Sequence, residues 1–247
     1  MNKPSLTSYQ ESRVPIVILH GWGLSGKTYS ELSYLLKKEG FTVFAPDLPG
    51  FGSEPLSKSV LILQDYIDFV KNFIQKKIHG KYFLIGHSFG GRIAILLAAE
   101  GDKKMKGLIL TGAAGIKRSL SLRSKIASFL AKYPSVFFAY KPLSKYRKIF
   151  RKLLYRFAGE FDYYKAGKMR ATFRNIIKDD LTEYLSKIAV PTLIIWGEND
   201  TITPLRDGKI MTEKIPNSRL VIAKDASHRF PYEKPEAFVK AIRPFFQ

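Results

Sequence analysis

Short apolar runs alternate with helical patterns along most of this chain, and this alternation restricts the possible folds more than any other feature. Several of the runs consist almost entirely of Val, Ile and Leu, as strands buried on both faces do. The sequence therefore predicts an α/β fold, with a mainly parallel, doubly wound sheet covered by helices on both faces. The predicted strands are residues 16–20, 41–47, 81–85, 107–111, 192–196 and 219–223, and the predicted helices are about 28–39, 59–78, 88–100, 205–214 and 235–246.

The alternation stops between residues 115 and 187, where no convincing strand occurs. Amphipathic helical segments take its place, with Leu122, Ile126 and Phe129 on one face of the first of them. We expect a core domain in two parts, residues 1–114 and 188–247, and a helical cap inserted as residues 115–187.

Composition excludes several kinds of site. The 247 residues include no cysteine and four histidines, so disulfides, thiolate nucleophiles and cysteine-ligated zinc are excluded. Residues 1–13 lack the apolar run of a signal peptide, and no stretch reaches the roughly 20 apolar residues of a membrane span. The sequence therefore predicts a cytoplasmic protein.

A candidate nucleophile lies between a predicted strand and a predicted helix. Ser88 stands in the run Ile-Gly-His-Ser-Phe-Gly-Gly, residues 85–91. Glycines on both sides of the serine allow a sharp strand-to-helix turn, which places the hydroxyl outward at the end of the strand. This arrangement predicts a catalytic serine.

A serine hydroxyl needs an imidazole to take its proton and a carboxylate to orient that imidazole. His228 follows the last predicted strand and is the best candidate base, whereas His79 and His87 have simpler explanations as a solvated residue and as the variable position of the turn. Asp200 follows the strand at residues 192–196 and is the best candidate acid. Two alternatives stay open: Asp200 caps the following helix, or Glu198 is the acid. Asp225 is too near His228 in sequence to be the expected third member.

Hydrolysis through a tetrahedral intermediate also requires hydrogen-bond donors for the developing oxyanion. The run His-Gly-Trp-Gly, residues 20–23, follows the first strong strand, and its glycines allow close approach of the backbone. We expect the backbone N–H groups of Trp22 and Phe89 to form this oxyanion hole. The Pro-rich and Gly-rich turn at residues 47–52 is expected to act as scaffold.

Taken together, these motifs resemble the α/β-hydrolase superfamily over nearly the whole chain, and within it the small capped serine esterases and the hydrolases of meta-cleavage products. The resemblance implies Ser88 as nucleophile, His228 as base, Asp200 as acid and the backbone of Trp22 and Phe89 as oxyanion hole, with no metal or organic cofactor. A serine at the turn disfavours dehalogenase and epoxide hydrolase chemistry, which uses aspartate there. The few residues before Ile16 suggest that the sheet lacks one or both leading strands of the fold.

The cap contains the information on the substrate. Residues 117–178 hold 17 Lys or Arg against two acids, and 13 of the 33 aromatic residues. We expect an apolar pocket for an acyl or aromatic ester above Ser88, lined by Trp22, Phe129, Phe138 and Met169. The basic residues form a solvated face, or they attract an acidic partner such as an acyl carrier protein or an anionic membrane surface. Nucleic acid is not expected, because no docking motif accompanies the charge.

The function predicted from the sequence is that of a serine carboxylester hydrolase working through an acyl-enzyme intermediate. Two alternatives remain. One is hydrolysis of a C–C bond in a diketo acid, with Arg170 or Arg174 holding the substrate carboxylate. The other is a ligand receptor of the same fold with low turnover.

Overall fold

The computed structural model describes residues 13–117 and 167–246. Within them, six strands form one all-parallel sheet in the order β2-β1-β3-β4-β5-β6. This arrangement confirms the predicted α/β sheet. The strands are β1 (Arg13–Leu19), β2 (Phe41–Phe44), β3 (Tyr82–His87), β4 (Met105–Thr111), β5 (Thr192–Gly197) and β6 (Ser218–Ala223). The described residues contain no strand before β1, and residues 1–12 lie outside them.

Helices connect successive strands, as parallel pairing requires. They are α1 (Ser30–Lys38), α2 (Leu63–Lys77), α3 (Phe89–Ala99), α4 (Arg170–Ile177), α5 (Leu205–Lys214), α6 (Phe230–Glu233) and α7 (Pro235–Ile242). Four short 3₁₀ helices complete the described ranges, at Gly26–Tyr29, Gly167–Met169, Thr182–Lys187 and Arg243–Phe245. No helix in residues 13–117 and 167–246 is both long enough and apolar enough to cross a membrane.

The central strands are apolar on both faces because helices cover both. In β3, Leu84 packs into a core cluster with α2 and α3, whereas its neighbours Phe83 and Ile85 pack into a second cluster with α1 and α7. Side chains of a strand alternate between faces, so one continuous apolar run supplies both cores. These clusters fix the carboxyl ends of β1, β3, β4 and β5 at one edge of the sheet.

Some predicted boundaries differ from the observed ones. β2 ends at Phe44, three residues before the predicted end, and Asp47 lies in the following loop. Helix α2 begins at Leu63, four residues later than predicted. The reason is local: the backbone at Ile62 is extended, and its N–H donates to Asp65 Oδ2 at 2.7 Å, which starts the helix there.

The described part of the predicted cap is its base. The segment leaving β4 and the segment returning to β5 are joined, because Leu181 N–H donates to the carbonyl of Gly115 at 2.8 Å. The guanidinium of Arg92 on α3 donates to the carbonyl of Asp179 at 2.5 Å. The two segments that connect the predicted cap to the sheet are thus hydrogen-bonded to each other and to α3. Phe129, Phe138 and the amphipathic segments near residue 122 lie outside the described residues, and the division into core and cap stays a prediction.

Candidate active site

Ser88 occupies a tight turn between β3 and α3. Its φ of 53° and ψ of −113° are rare for a residue with a side chain, and such a conformation costs about 1–3 kcal/mol. Backbone hydrogen bonds hold it: Ser88 N–H donates to Thr111 O at 3.2 Å, and Ser88 O accepts from Gly91 and Ala114, each at 3.0 Å. The turn therefore keeps a strained geometry that presents the side chain at the edge of the sheet.

Gly90 allows this turn to lie against the end of β1. A Cβ atom at position 90 would overlap the carbonyl oxygen of Leu19. The Gly90 N–H also donates to His20 O at 3.1 Å. Glycine is therefore required at position 90 because α3 approaches β1 closely there. This approach brings the loop at residues 20–23 beside Ser88.

Asp200 and His228 form a buried pair. Asp200 Oδ2 lies 2.8 Å from His228 Nδ1, and the two side chains are 1% and 9% exposed. A carboxylate only accepts, so Nδ1 carries a proton, and the tautomer of the neutral ring that fits this contact has its lone pair on Nε2, as a base requires. Asp200 Oδ1 accepts the N–H groups of Ile202 at 2.9 Å and Thr203 at 2.8 Å. One oxygen thus shapes the loop while the other orients the imidazole.

Burial alone would raise the pKa of Asp200, but the hydrogen bond from His228, the electrostatic effect of its ring and the donors of Thr203 outweigh burial and lower the pKa. The carboxylate is therefore ionised at neutral pH. Glu198, the alternative acid, is exposed and accepts from the Asp225 N–H at 3.4 Å. This geometry favours Asp200 as the acid.

The residues that follow β4 connect this pair to Ser88. A Cβ atom at Gly112 would lie 2.9 Å from His228 Nδ1 and 3.1 Å from Asp200 Oδ2, and the φ of +49° there also favours glycine. The neighbouring Thr111 and Ala114 are the residues that bond the backbone of Ser88. The end of β4 and the loop after it therefore contact both the nucleophile and the Asp–His pair, which the structure brings to one edge of the sheet.

The loop after β1 orients the Trp22 N–H. The carbonyl of Gly21 accepts from His20 Nδ1–H at 2.8 Å and from Leu24 N–H at 3.2 Å. Carbonyl and N–H point in opposite directions across a trans peptide, so the N–H of Trp22 is directed away from these two donors. His20 Nε2 accepts the N–H of Leu48 at 2.9 Å, which fixes the ring. Burial lowers the pKa of His20, consistent with a neutral ring that donates at one nitrogen and accepts at the other.

Phe89 is the first residue of α3, so its N–H has no acceptor within the helix. The positive end of the helix dipole lies at the same place, where it favours negative charge. Trp22 and Phe89 are neighbours, with ring centroids 5.5 Å apart. The two predicted oxyanion donors therefore lie on adjoining backbone segments beside Ser88.

An aromatic wall extends from these donors. The centroid of the Trp22 ring lies 4.9 Å from that of Phe51 and 4.8 Å from that of Phe173. The ring centroids of Tyr66 and Phe89 are also 4.9 Å apart. Met169, a predicted pocket residue, lies near Gly50, where a Cβ atom would approach its Cε to 2.6 Å. Phe51, Tyr66 and Phe173 were not predicted; only the amphipathic pattern around Phe173 could have indicated it. The turn at residues 47–52, expected to act as scaffold, is held by Asp47, which accepts from Gly26 N–H and Ser53 N–H. Its Phe51 also contacts Trp22 and so joins the wall.

Sequence reasoning missed the part played by His87. Instead of a variable position, it is a buried residue whose ring nitrogens contact Tyr29 Oη at 2.6 Å and the carbonyl of His228 at 2.9 Å. A histidine inside the turn gives no signal of these contacts, because both partners are far away in sequence.

Comparison with known proteins shows the family of this fold. The sequence model described as "alpha/beta hydrolase fold" matches residues 14–235. The chain belongs to the alpha/beta hydrolase fold family. This match confirms the predicted fold and the prediction that the chain is a hydrolase.

The chain is also similar to individual proteins over nearly its whole length. The chain is 28% identical over 254 residues to the pimeloyl-[acyl-carrier protein] methyl ester esterase of Wigglesworthia glossinidia brevipalpis, covering 95% of this chain and 94% of that protein. An esterase from Exiguobacterium antarcticum superposes with a TM-score of 0.72 at 22% identity, covering 95% and 92% of the two chains. A thermophilic esterase from Thermogutta terrifontis gives a TM-score of 0.70 at 24% identity, covering 95% and 89%. At these low identities, the similarity to the two solved structures shows a shared fold and nothing further.

Proposed function

We propose that this chain hydrolyses carboxylic esters through a covalent acyl-enzyme on Ser88. The observation that carries the proposal is the buried Asp200–His228 pair packed against the strained turn of Ser88. A proton-accepting nitrogen, a nucleophile and oriented backbone donors at one edge of the sheet are the groups that acyl transfer needs.

In the first half of the reaction, Ser88 Oγ attacks the ester carbonyl and its proton passes to His228 Nε2. The N–H groups of Trp22 and Phe89 hold the oxyanion of the tetrahedral intermediate. Asp200 stabilises the imidazolium that forms. His228 then gives its proton to the leaving alcohol, and the acyl group remains on Ser88.

In the second half, His228 accepts a proton from water, which attacks the acyl carbonyl. A second tetrahedral intermediate forms in the same oxyanion hole. When it collapses, the acid leaves and Ser88 Oγ recovers its proton from His228. The reaction consumes one ester and one water, and the enzyme is restored.

The aromatic wall supports an apolar acyl or aromatic ester as substrate. Trp22, Phe51 and Phe173 lie beside the oxyanion donors, so an apolar acyl chain can be buried next to the reacting carbonyl. Phe129 and Phe138 stay predicted members of this pocket, outside the described residues. Arg170 and Arg174 likewise stay predictions as carboxylate-binding residues for a diketo acid.

The reaction class can be tested by comparing substrates. Wild-type protein is expected to cleave a series of p-nitrophenyl esters of increasing chain length, with kcat/KM rising as the acyl group becomes more apolar. A vinylogous diketo acid is the comparison substrate. Faster turnover of the diketo acid would favour C–C hydrolysis, and no turnover of any substrate would favour a receptor.

We propose that an acidic carrier protein bears the ester substrate and docks on this chain. In α4, Thr172 and Ile176 are buried, and Phe173 contacts Trp22, whereas Arg170 and Arg174 are exposed. Residues 117–178 carry a net charge of +15 from 17 basic and two acidic residues. The exposed Arg170 and Arg174 lie on the helix that contacts the aromatic wall, and this basic charge favours an ester presented by an acidic protein. A relative's name includes such a carrier. The cytoplasmic location expected from the sequence stays a prediction.

Charge reversal on α4 tests whether a carrier protein docks there. Arg174→Glu is expected to raise KM for a methyl ester carried on acyl carrier protein and to leave KM for a free p-nitrophenyl ester unchanged. Lys240→Glu, which reverses an exposed charge on α7, is the matched control. Equal effects of Arg174→Glu on both substrates would contradict docking of a carrier protein at α4.

A further inference from the structure

His87, the residue before the nucleophile, connects the turn to the loop that carries the base. Its side chain is buried, its Nε2 lies 2.9 Å from the carbonyl oxygen of His228, and its Nδ1 lies 2.6 Å from Tyr29 Oη. A carbonyl only accepts, so Nε2 carries the proton and Nδ1 accepts the proton of the Tyr29 hydroxyl. One neutral tautomer therefore satisfies both contacts.

Tyr29 extends this connection to the oxyanion loop. It is 1% exposed, at the end of the 3₁₀ helix that precedes α1. The backbone of Gly21 is close enough to the same hydroxyl to oppose the rise that burial causes in the pKa of Tyr29, and a Cβ atom at Gly21 would lie 3.1 Å from His87 Nδ1. The Tyr29 ring also packs edge-on against Tyr232, at 5.7 Å between centroids. His87 and Tyr29 thus contact the loops on both sides of Ser88.

The ring of His87 also packs against the ring of the base. The His87 and His228 centroids are 4.8 Å apart, at an angle of 46°. Burial and the neighbouring His228 lower the pKa of His87 to about 3. This neutrality matters because His228 becomes positively charged in each proton transfer, and a second charge at this distance would oppose it.

We propose that His87 is a positioning residue. Its neutral ring, together with Tyr29, holds the backbone and the ring of His228 in place beside Ser88. The inference rests on the proposed function, since it assigns His228 as the base. His87 itself touches no reacting atom and transfers no proton. Its loss would let His228 move relative to Ser88 while the aromatic wall at Trp22 stays in place, so turnover would fall more than substrate binding.

Three variants separate the contacts. His87→Phe keeps a ring of similar shape and removes both nitrogens, His87→Gln keeps a donor near the position of Nε2, and Tyr29→Phe removes only the hydroxyl. His79→Gln and Tyr34→Phe are the matched controls, because both residues are exposed. For each variant, kcat and KM are measured with a short p-nitrophenyl ester, and the melting temperature shows whether it is folded.

We expect His87→Phe to lower kcat by about 10²-fold, the loss that accompanies a misplacement of about 1 Å, with KM changed by less than about twofold. His87→Gln is expected to recover part of this loss. As a single substitution, Tyr29→Phe is expected to lower kcat. Combined with His87→Phe, it should have little further effect, because Tyr29 acts through His87. Wild-type kcat in a folded His87→Phe variant would overturn the proposal. If His87→Phe fails to fold, wild-type kcat in Tyr29→Phe overturns it instead.

Ser88→Ala separates this inference from the proposed function. If Ser88→Ala retains esterase activity, the proposed mechanism is wrong whatever the His87 variants do. If Ser88→Ala is inactive and His87→Phe is as active as wild type, the mechanism stands and the positioning role is wrong. Additive effects of Tyr29→Phe and His87→Phe would overturn the connection between these two residues.

Discussion

The hydroxyl of Thr203 donates to the same carboxylate oxygen, Asp200 Oδ2, that accepts from His228, at 2.8 Å. Thr203 Oγ1 also lies 3.0 Å from His228 Nδ1 and 3.0 Å from the carbonyl of Gly112. The side chain is 4% exposed. Thr203 therefore helps to fix the carboxylate between the loop after β5 and the loop after β4.

Thr203→Val tests this contribution. The substitution keeps the shape and removes a buried hydrogen bond to a charged group, so the free energy of unfolding should fall by about 1.5–3 kcal/mol. Urea denaturation measures the change. Thr201→Val, at an exposed position in the same loop, should change it by less than about 0.5 kcal/mol. Equal effects at both positions would contradict a specific role for the Thr203 hydroxyl.

Asp200→Asn should reduce kcat by about 10⁴-fold, the loss known for the equivalent change in another triad enzyme. The amide can donate to Nδ1 of His228, and the imidazole then carries its proton on Nε2, where it cannot accept one from Ser88. Steady-state kinetics with a p-nitrophenyl ester provide the measurement. Glu198→Gln, which alters the exposed alternative acid, should retain wild-type kcat. The reverse result would make Glu198 the acid.

Gly112→Ala should separate crowding from backbone strain. The new Cβ would press on both members of the Asp200–His228 pair, so we expect kcat to fall by about 10²-fold. Gly101 has a positive φ of 82°, but a Cβ atom there would meet no other atom within 4 Å. Gly101→Ala should therefore lower the melting temperature and leave kcat unchanged. Activity and melting temperature of the two variants distinguish the effects. If Gly101→Ala lowers kcat equally, strain rather than contact is responsible.

The buried neutral His87 should make stability depend on pH. Its pKa is about 3 in the folded protein, against an ordinary value of 6.5. Below 6.5 the unfolded chain binds a proton that the folded chain excludes until about pH 3, so stability is lost as pH falls through this window. The titratable groups facing His87 are His228, Asp200, His20, Tyr29 and Tyr232.

His87→Gln removes this titrating group. The slope of unfolding free energy against pH should decrease by up to about 1.4 kcal/mol per pH unit below the ordinary pKa. Urea unfolding at several values between about pH 7 and 5 gives the slope. His79→Gln should leave it unchanged because His79 is exposed. An unchanged slope in His87→Gln would show that His87 takes up its proton at the same pH in the folded and the unfolded chain, which would contradict a lowered pKa.

The parts of the candidate site that a sequence can predict are those that depend on position relative to a strand. Ser88, Asp200 and His228 each follow a strand of a parallel sheet, and the carboxyl ends of such strands meet at one edge. Thr203 and His87 make side-chain contacts between loops distant in sequence, and no local pattern indicates such contacts. The start of helix α2 differs from the prediction for another reason. The hydrogen bond from the Ile62 N–H to the Asp65 side chain, which starts the helix, is one of several local hydrogen bonds that the sequence allows.

Covalent labelling of Ser88 tests the central claim most directly. Wild-type protein is incubated with a p-nitrophenyl alkylphosphonate, whose phosphorus centre resembles the tetrahedral intermediate, and intact and peptide masses are recorded. We predict one phosphonyl group per chain, located on the peptide that contains Ser88, with loss of esterase activity in the same proportion. Ser88→Ala should remain unlabelled and inactive. Full inactivation with the label on another residue, or esterase activity that persists in Ser88→Ala, would contradict the account.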